Sequence, residues 1–233
     1  MGRLRDDRFH GTGRHSIVTA GGFNIARHYQ RDVQRYAVKD VAPRAEVADW
    51  WSTGWQELPA RRVDITGESE EPFTLQWAGT LDELRNTLEG AEWRMPPNWT
   101  VTNSLQWLTS SPKLMSLPVV THPERGRLPS MTLIRASGTD PGGNRYVLRV
   151  WRADKQLNDT QAELWLGSVV EETPTSFLWV AAYPTAKSDV NGPRNALSQA
   201  LPELRVARRD ANTEDDNWDG RTLLAGERKL SGR

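Results

Sequence analysis

The sequence predicts an α+β fold in which a mostly antiparallel sheet has its helices packed on one face. Two observations support this fold class. Segments with strand-like alternation follow one another with short turns between them, and the helical segments stand between groups of strands instead of alternating singly with them. The chain also contains eleven tryptophans among 233 residues. So many large side chains, each with one N–H group, favour a core built around indole rings.

Three regions are predicted along the chain. Residues 1–40 lack clear periodicity and contain eight Arg or Lys residues against four Asp. They are predicted to be a flexible basic lead-in, in which residues 24–36 could form a short helix. Residues 41–225 form the predicted domain, whose size one hydrophobic core can support. The charged residues 226–233 are expected to be a disordered tail.

The predicted domain opens with a helix and a hairpin. Residues 44–51 can form a short helix that follows a proline and stops before a glycine. Residues 61–65 and 73–79 each alternate polar and apolar side chains, and the turn-rich TGESEEP segment lies between them. The pattern predicts that these two strands pair as a hairpin.

The strongest helical pattern in the chain covers residues 80–90. Thr80 can cap the helix through its hydroxyl group, and Glu83 can complete a capping box three residues later. Leucines recur on one face of the helix. Gly90 is predicted to take the left-handed position that ends many helices.

A long irregular segment and a series of strands form the second half of the domain. A short helix is predicted at residues 103–111, and the following residues 113–129 contain three prolines that oppose regular structure. A loop of this length in a compact domain tends to be functional or disordered, so it is a candidate working surface. Strands are then predicted at residues 131–137, 145–153, 162–172 and 177–183, a helix from residue 193, and a weaker strand at 205–210.

The composition argues against several classes of function. Thirty basic residues balance thirty acidic ones, so no net field attracts a polyanion and we expect no nucleic-acid partner. The chain has no cysteine, which removes disulfides and thiol chemistry, and no cofactor is predicted. No apolar run approaches the roughly 20 residues of a membrane helix, and the N-terminus lacks the apolar part of a secretory signal. We therefore expect a cytoplasmic location.

Catalytic motifs are absent from the sequence, and only one histidine lies in the predicted domain. His122 stands in the proline-containing loop with Glu124, Arg125 and Arg127 close by. These residues could form a site in which His122 is a general acid or base and the arginines hold an anionic group. The alternative, which we favour, is a loop histidine whose ring bonds a backbone carbonyl while Gly126 makes the turn.

Two other constellations could bind ligands. Arg149 and Trp151 fall on one face of their predicted strand, and Trp165 on the next strand could lie beside them as a stacked cation and indole. This arrangement could hold a ligand or simply stabilise the sheet. The acidic stretches 68–71 and 212–219 could bind a hard cation. We interpret both as solvated turns, and no metal site is predicted.

Several stretches in combination resemble the LssY C-terminal domain family. They are WWSTGW at residues 50–55, LQWAG at 75–79, LPVVTHPERGR at 117–127, LRVW at 148–151 and LWLG at 164–167. The resemblance implies a bacterial domain without an established activity, often attached behind membrane segments of the DedA type or of the type 2 phosphatidic acid phosphatase type. This sequence lacks the K-x6-R-P, P-S-G-H and S-R-x5-H signatures of those phosphatases, so their activity is not carried over.

Three hypotheses about function follow. The first is a non-catalytic accessory or binding domain that works beside a membrane protein, with the basic lead-in against anionic headgroups at the inner membrane. The second is a hydrolase of a phosphorylated or acyl substrate that uses the His122 loop. The third is a carbohydrate- or peptide-binding domain whose ligands stack on exposed indoles.

Overall fold

The computed structural model describes residues 44–100, 103, 113–138, 143–158, 162–177, 181–201, 203–209 and 217–226. These residues belong to one compact unit that spans residues 41–233. The helix predicted at 24–36 lies outside the described residues, and so does the helix predicted at 103–111 apart from Asn103. The predicted lead-in and the tail beyond Gly226 also lie outside them.

Ten strands and three α-helices form the described part of the chain. The strands are β1 (Arg44–Ala45), β2 (Arg61–Val63), β3 (Ser69–Pro72), β4 (Leu75–Ala78), β5 (Met131–Ala136), β6 (Arg145–Leu157), β7 (Glu163–Phe177), β8 (Ala181–Ala186), β9 (Arg205–Arg208) and β10 (Arg221–Gly226). The helices are α1 (Val47–Ser52), α2 (Leu81–Glu89) and α3 (Asn191–Ser198), with 3₁₀ turns at Gly54–Glu57 and Leu114–Ser116. The result is a sheet-rich fold with few helices.

Eight of these strands form one mixed sheet. The order β1-β6-β7-β4-β10-β9 runs across it, with β5 added beside β6 and β8 beside β7. Most neighbouring strands are antiparallel, but β1 runs parallel to β6 and β10 runs parallel to β4. The predicted antiparallel sheet is therefore confirmed only in part. The long strands β6 and β7 pair over most of their length and form the centre of the sheet.

The predicted hairpin between residues 61–65 and 73–79 is wrong in its second strand. The turn takes up only the first part of the predicted TGESEEP segment, because residues 69–72 of that segment form β3, which pairs with β2. These two strands make a separate small sheet. The alternating residues of β4 instead pair with β7 and β10 in the main sheet, where a buried strand gains more apolar contact.

Helices pack on both faces of the main sheet, so the prediction of helices on one face is confirmed only in part. On the first face, Leu84 and Leu88 of α2 and Leu197 of α3 join a core that contains Val150 of β6. On the second face, the core around Trp151 receives its helical side chains from α1 and the following 3₁₀ turn. Because side chains alternate along a strand, the neighbouring residues 150 and 151 of β6 point into these two different cores.

Most of the indole rings lie inside the domain. Among the nine tryptophans that the structure describes, seven are buried. Trp51 is partly exposed, and Trp99 keeps 56% of its surface accessible. The composition therefore predicted a core rather than an aromatic platform, and the third functional hypothesis gains no support from the described tryptophans.

Helix α2 begins as predicted and ends differently. The Thr80 hydroxyl accepts a hydrogen bond from the Glu83 backbone N–H at 3.2 Å, which satisfies one of the free donors at the helix start. Gly90 keeps a right-handed conformation with φ of −61°. The left-handed residue of this turn is Glu92, whose φ is 67°.

Candidate functional site

The Pro-rich loop (residues 113–129) lies against the second face of the sheet, where an arginine of β6 holds its first half. The guanidinium of Arg145 donates to the carbonyl oxygens of Leu114 at 2.5 Å, Leu117 at 2.7 Å and Pro118 at 3.3 Å. Prolines remove backbone donors from the loop, so its carbonyl groups need donors from elsewhere. Arg145 is fully buried and supplies them.

A second arginine of β6 extends this attachment, and one carboxylate balances the pair. Arg149 lies four residues further along the same face of the strand and donates to the Val120 carbonyl through Nε and Nη2 at 3.3 and 3.1 Å. Glu172 of β7 lies between the two arginines, 2.9 Å from Arg145 Nε and 2.9 Å from Arg149 Nη2. Burial lowers the pKa of Arg145, and the charge of Glu172 opposes that effect. We call Arg145, Arg149 and Glu172 the buried triad.

The second half of the loop is attached to the small sheet. Arg62 of β2 donates to the Pro123 carbonyl at 2.7 Å and lies 2.8 Å from the carboxylate of Glu71 on β3. Burial acts to raise the pKa of Glu71, but the interactions with His122 and Arg62 outweigh it and hold that pKa at about 2. Glu71 is therefore ionised throughout the physiological range.

His122 sits between these two points of attachment. The carbonyl two residues before it is bound by Arg149, and the carbonyl one residue after it is bound by Arg62. The ring lies with Nδ1 3.5 Å from Oε1 of Glu71, and both atoms are buried with no hydrogen-bond partner among the described residues. The predicted hydrogen bond from the ring to a backbone carbonyl is not found among the described residues, although Gly126 does occupy the turn with φ of 80°.

The other residues of the predicted His122 set lie elsewhere. Glu124 is buried and accepts the Val63 backbone N–H at 2.7 Å, and burial raises its pKa. Arg125 lies 3.5 Å from Glu124 and 4.0 Å from Asp154 of β6, and Arg127 lies 2.5 Å from Asp154. The structure thus brings His122 to Glu71, and it directs the two arginines to a surface carboxylate.

A pocket of about 350 Å³ opens beside His122. Its walls come from β2, β3, the Pro-rich loop, β6, β7, the residues after β8, and the residues before β10. His122, Glu71, Arg149 and Lys187 contribute polar groups, and Val170 and Trp218 contribute apolar surface. We call this the His122 pocket. Its volume is at the lower end of the range for small-molecule sites.

The predicted stacking of Trp165 on Arg149 and Trp151 is wrong. Arg149 and Trp151 share the second face of the sheet, whereas Trp165 belongs to the core of the first face. The register explains the difference, because Trp165 pairs with Arg152 and not with either of them. Its indole N–H donates to the Gly79 carbonyl at 2.9 Å.

Three carboxylate side chains lie close enough together to hold a metal ion. Carboxylate oxygens of Asp64, Glu68 and Glu70 lie within 4.8 Å of one another. Asp64 already accepts the backbone N–H groups of Thr66 and Glu68 at 2.8 and 2.9 Å. These bonds stabilise the turn between β2 and β3. The solvated turn predicted for residues 68–71 is wrong from Ser69 onward, because Ser69–Pro72 form β3 and Glu71 is paired with Arg62.

The family model described as LssY C-terminus matches residues 55–207. The chain belongs to the LssY C-terminus family. This finding confirms the resemblance seen in the sequence. Separate comparisons with curated proteins and with solved structures found no significant match.

Most of the site falls within the part of the chain that matches the LssY C-terminus family. The buried triad, Arg62, Glu71 and His122 all lie between residues 55 and 207, and Trp218 lies beyond the match. Within the described residues, no helix has the length and apolar character needed to cross a membrane.

Sequence reasoning missed Arg62, Glu71, Arg145 and Glu172. All four are charged residues on strands, a pattern that normally indicates a solvated face. The one available signal was the alternation in β6, which places Arg145 and Arg149 on the same side as the apolar Val147 and Trp151. Charged residues on an apolar face predict buried, paired groups.

Proposed function

We propose that this LssY C-terminus domain is a binding domain whose ligand occupies the His122 pocket, and that it works as an accessory to a membrane protein. One observation carries the first part. The backbone on both sides of His122 is bound by buried arginines, so the stretch of loop that carries His122 is held in place beside an open pocket. Such rigid support of a polar side chain is the arrangement that recognition sites need.

The burial of the supporting charges strengthens this argument. Arg145, Arg149 and Glu172 are each at most 4% exposed, and taking charges out of water is unfavourable even when they are paired. Apolar side chains could fill the same volume with no such penalty. The buried triad is therefore better explained by the position that it gives the Pro-rich loop than by stability alone.

Binding in the pocket can be tested by NMR on ¹⁵N-labelled protein. The indole signal of Trp218 reports on the His122 pocket, and the signal of Trp93, buried in the core of the first face, is an internal control. We expect members of a small-fragment library to shift the Trp218 signal in a saturable manner and to leave Trp93 unchanged. A library that moves neither signal, or both equally, would contradict the proposal.

The membrane part of the proposal is supported by what the family resemblance implies and by the basic composition of residues 1–40. The full chain should co-sediment with anionic vesicles at low salt and release at high salt, because exposed charges are screened. Neutral vesicles are the control. If the chain ignores anionic vesicles and captures no membrane protein, the accessory role loses its support while pocket binding is untouched.

A second candidate function is hydrolysis of a phosphorylated or acyl substrate. It is favoured by the approach of Glu71 to Nδ1 of His122, because a carboxylate in that position can orient an imidazole that acts as a general base through Nε2. The test is turnover of p-nitrophenyl phosphate and p-nitrophenyl acetate. Activity that His122→Ala abolishes and Arg125→Ala preserves would favour the hydrolase, since Arg125 faces Asp154. Absence of His122-dependent turnover would leave binding as the function.

A further inference from the structure

We propose that the His122 pocket recognises an organic oxyanion, a carboxylate or a phosphate monoester, whose charged group is bound by Arg149 and His122 and whose body packs against Trp218. This inference rests on the proposed binding function and names its ligand class. It is drawn from the charges beneath the pocket and from the shape of its walls.

The buried triad has a net charge of +1, because it contains two arginines and one glutamate. Arg145 and Arg149 are 0% and 1% exposed and share the single carboxylate of Glu172. A buried charge without a counter-charge is unfavourable, so this site favours the arrival of an anion. Arg145 directs its guanidinium at the loop carbonyls and Glu172. Arg149 is the member that lines the pocket.

Arg149 also has donors to spare. Its Nε and Nη2 bind the Val120 carbonyl and Glu172, while Nη1 has no acceptor among the described residues. A guanidinium binds carboxylate and phosphate oxygens through its N–H groups with charge-assisted hydrogen bonds. Beside it, no described residue is bonded to Nε2 of His122, and the ring lines the same pocket.

The two glutamates in the pocket wall do not remove this preference. The carboxylate of Glu71 is neutralised by Arg62 at 2.8 Å. Arg62 does not also balance Glu70, which lies 3.7 Å from it. The Glu70 side chain is 42% exposed, so solvent screens its charge, and Arg61 adds a positive charge to the pocket wall. Lys187 adds a cation to the wall and pairs with Glu171 at 3.0 Å.

The rest of the pocket fits an apolar body. Pro72, Val170, Val190 and Trp218 are all buried and line it, with the guanidinium of Arg61 5.5 Å from the ring centre of Trp218. A bare inorganic ion would leave this apolar wall unused. Val170, Val190 and Trp218 are 4%, 3% and 1% exposed, and Arg61 already stacks on Trp218, so an oxyanion attached to a ring or a short chain gains only a small amount of hydrophobic contact with their edges.

A matched set of four small probes tests the proposal. Phenyl phosphate and benzoate carry the oxyanion, benzyl alcohol is neutral, and benzylamine is cationic, while all four carry the same ring. We expect the two anions to shift the Trp218 indole signal and the Arg149 Nε–H signal in a saturable manner. The neutral and cationic probes should bind at least about tenfold more weakly, since a charged hydrogen bond is lost.

Three variants locate the interaction. Arg149→Lys keeps the charge but loses the planar set of donors, and His122→Ala removes the ring from a half-exposed position. Each should weaken phenyl phosphate binding by about tenfold or more. Arg152→Lys is the matched control, because Arg152 lies on the same strand with its side chain 50% exposed and paired with Glu163. If Arg149→Lys does not fold, the proposal is still tested by phenyl phosphate binding to His122→Ala and by the shift of the Arg149 Nε–H signal in the natural chain.

The outcomes separate this inference from the proposed function. If benzyl alcohol binds as tightly as phenyl phosphate, the pocket is a ligand site without the proposed charge preference, and only the inference fails. If no probe moves the Trp218 signal, the inference fails, and the fragment library then decides whether the pocket binds a ligand of another class. Vesicles of phosphatidylcholine with and without phosphatidic acid identify the source of the oxyanion. Binding that needs the vesicle assigns it to a lipid headgroup, and binding of free phenyl phosphate assigns it to a soluble molecule.

Discussion

Replacing Glu172 by glutamine is the most direct test of how the candidate site is built. The carboxylate stands between the guanidinium groups of Arg145 and Arg149 and accepts hydrogen bonds from both. Glutamine has nearly the same shape but carries no charge and presents an amide donor on one side. The variant therefore leaves two buried cations without a counter-charge and turns one donor toward another donor.

The loss should be large for a single isosteric change. Removing one partner of a buried ion pair typically lowers the free energy of unfolding by about 3–5 kcal/mol. The geometry supports the upper part of that range, because two contacts from Arg145 at 2.8 and 2.9 Å and one from Arg149 at 2.9 Å are affected together. The attachment of the Pro-rich loop should weaken as well.

Glu163→Gln is the matched control for this experiment. Glu163 lies on the same strand and pairs with Arg152 at 2.8 Å, but the two side chains are 38% and 50% exposed. An exposed pair contributes about 0–1 kcal/mol. In urea unfolding monitored by tryptophan fluorescence, Glu172→Gln should therefore have a much lower midpoint than Glu163→Gln, while the slopes of the two transitions stay equal. If Glu172→Gln loses no more stability than Glu163→Gln, the charge of Glu172 is not what holds Arg145 and Arg149 in place beneath the Pro-rich loop.

Three further predictions concern other parts of the domain. The pKa of Glu71 lies at about 2, below its ordinary value of 4.5, so its stabilising effect is complete above that ordinary value and is lost as the pH falls toward 2. Between pH 4.5 and pH 2 the free energy of unfolding of the natural chain should fall by about 3 kcal/mol more than that of Glu71→Gln. Equal pH dependence of unfolding in the two proteins would contradict this prediction. Gly167→Ala places a methyl group 3.1 Å from the Leu75 side chain and should lower stability by about 1–3 kcal/mol. Gly138→Ala, with nothing within 4 Å, should change it little. Thr80→Ala removes the cap of α2 and should lower the melting temperature in line with a loss of about 1 kcal/mol, and an unchanged melting temperature would argue against the cap.

Local features of the chain could be predicted because they depend on residues close in sequence. The helix at Leu81–Glu89 follows from a capping threonine and leucines at helical spacing, and the meander of strands follows from alternating side chains and turn residues. The burial of most described tryptophans follows from their size and apolar surface. The family resemblance rested on short segments of the same kind and was confirmed by the match over residues 55–207.

Strand neighbours could not be predicted in the same way. β10 runs parallel to β4 although the two are far apart in the sequence, and the acidic residues of β3 pair with β2 although β4 alternates more clearly. Such pairings depend on which arrangement buries the most apolar surface in the whole domain. A local pattern carries no information about that choice.

The candidate site shows the same division. The sequence by itself determined that the proline-containing loop is irregular, and that His122 is the one histidine of the predicted domain. Only the tertiary structure decided that Glu71 is its neighbour, that Arg125 and Arg127 turn toward Asp154, and that Arg145, Arg149 and Glu172 are buried together. The physical reason is that a charged residue on a strand has the same local pattern whether it faces water or a partner. The partner is supplied by a strand or loop elsewhere in the chain.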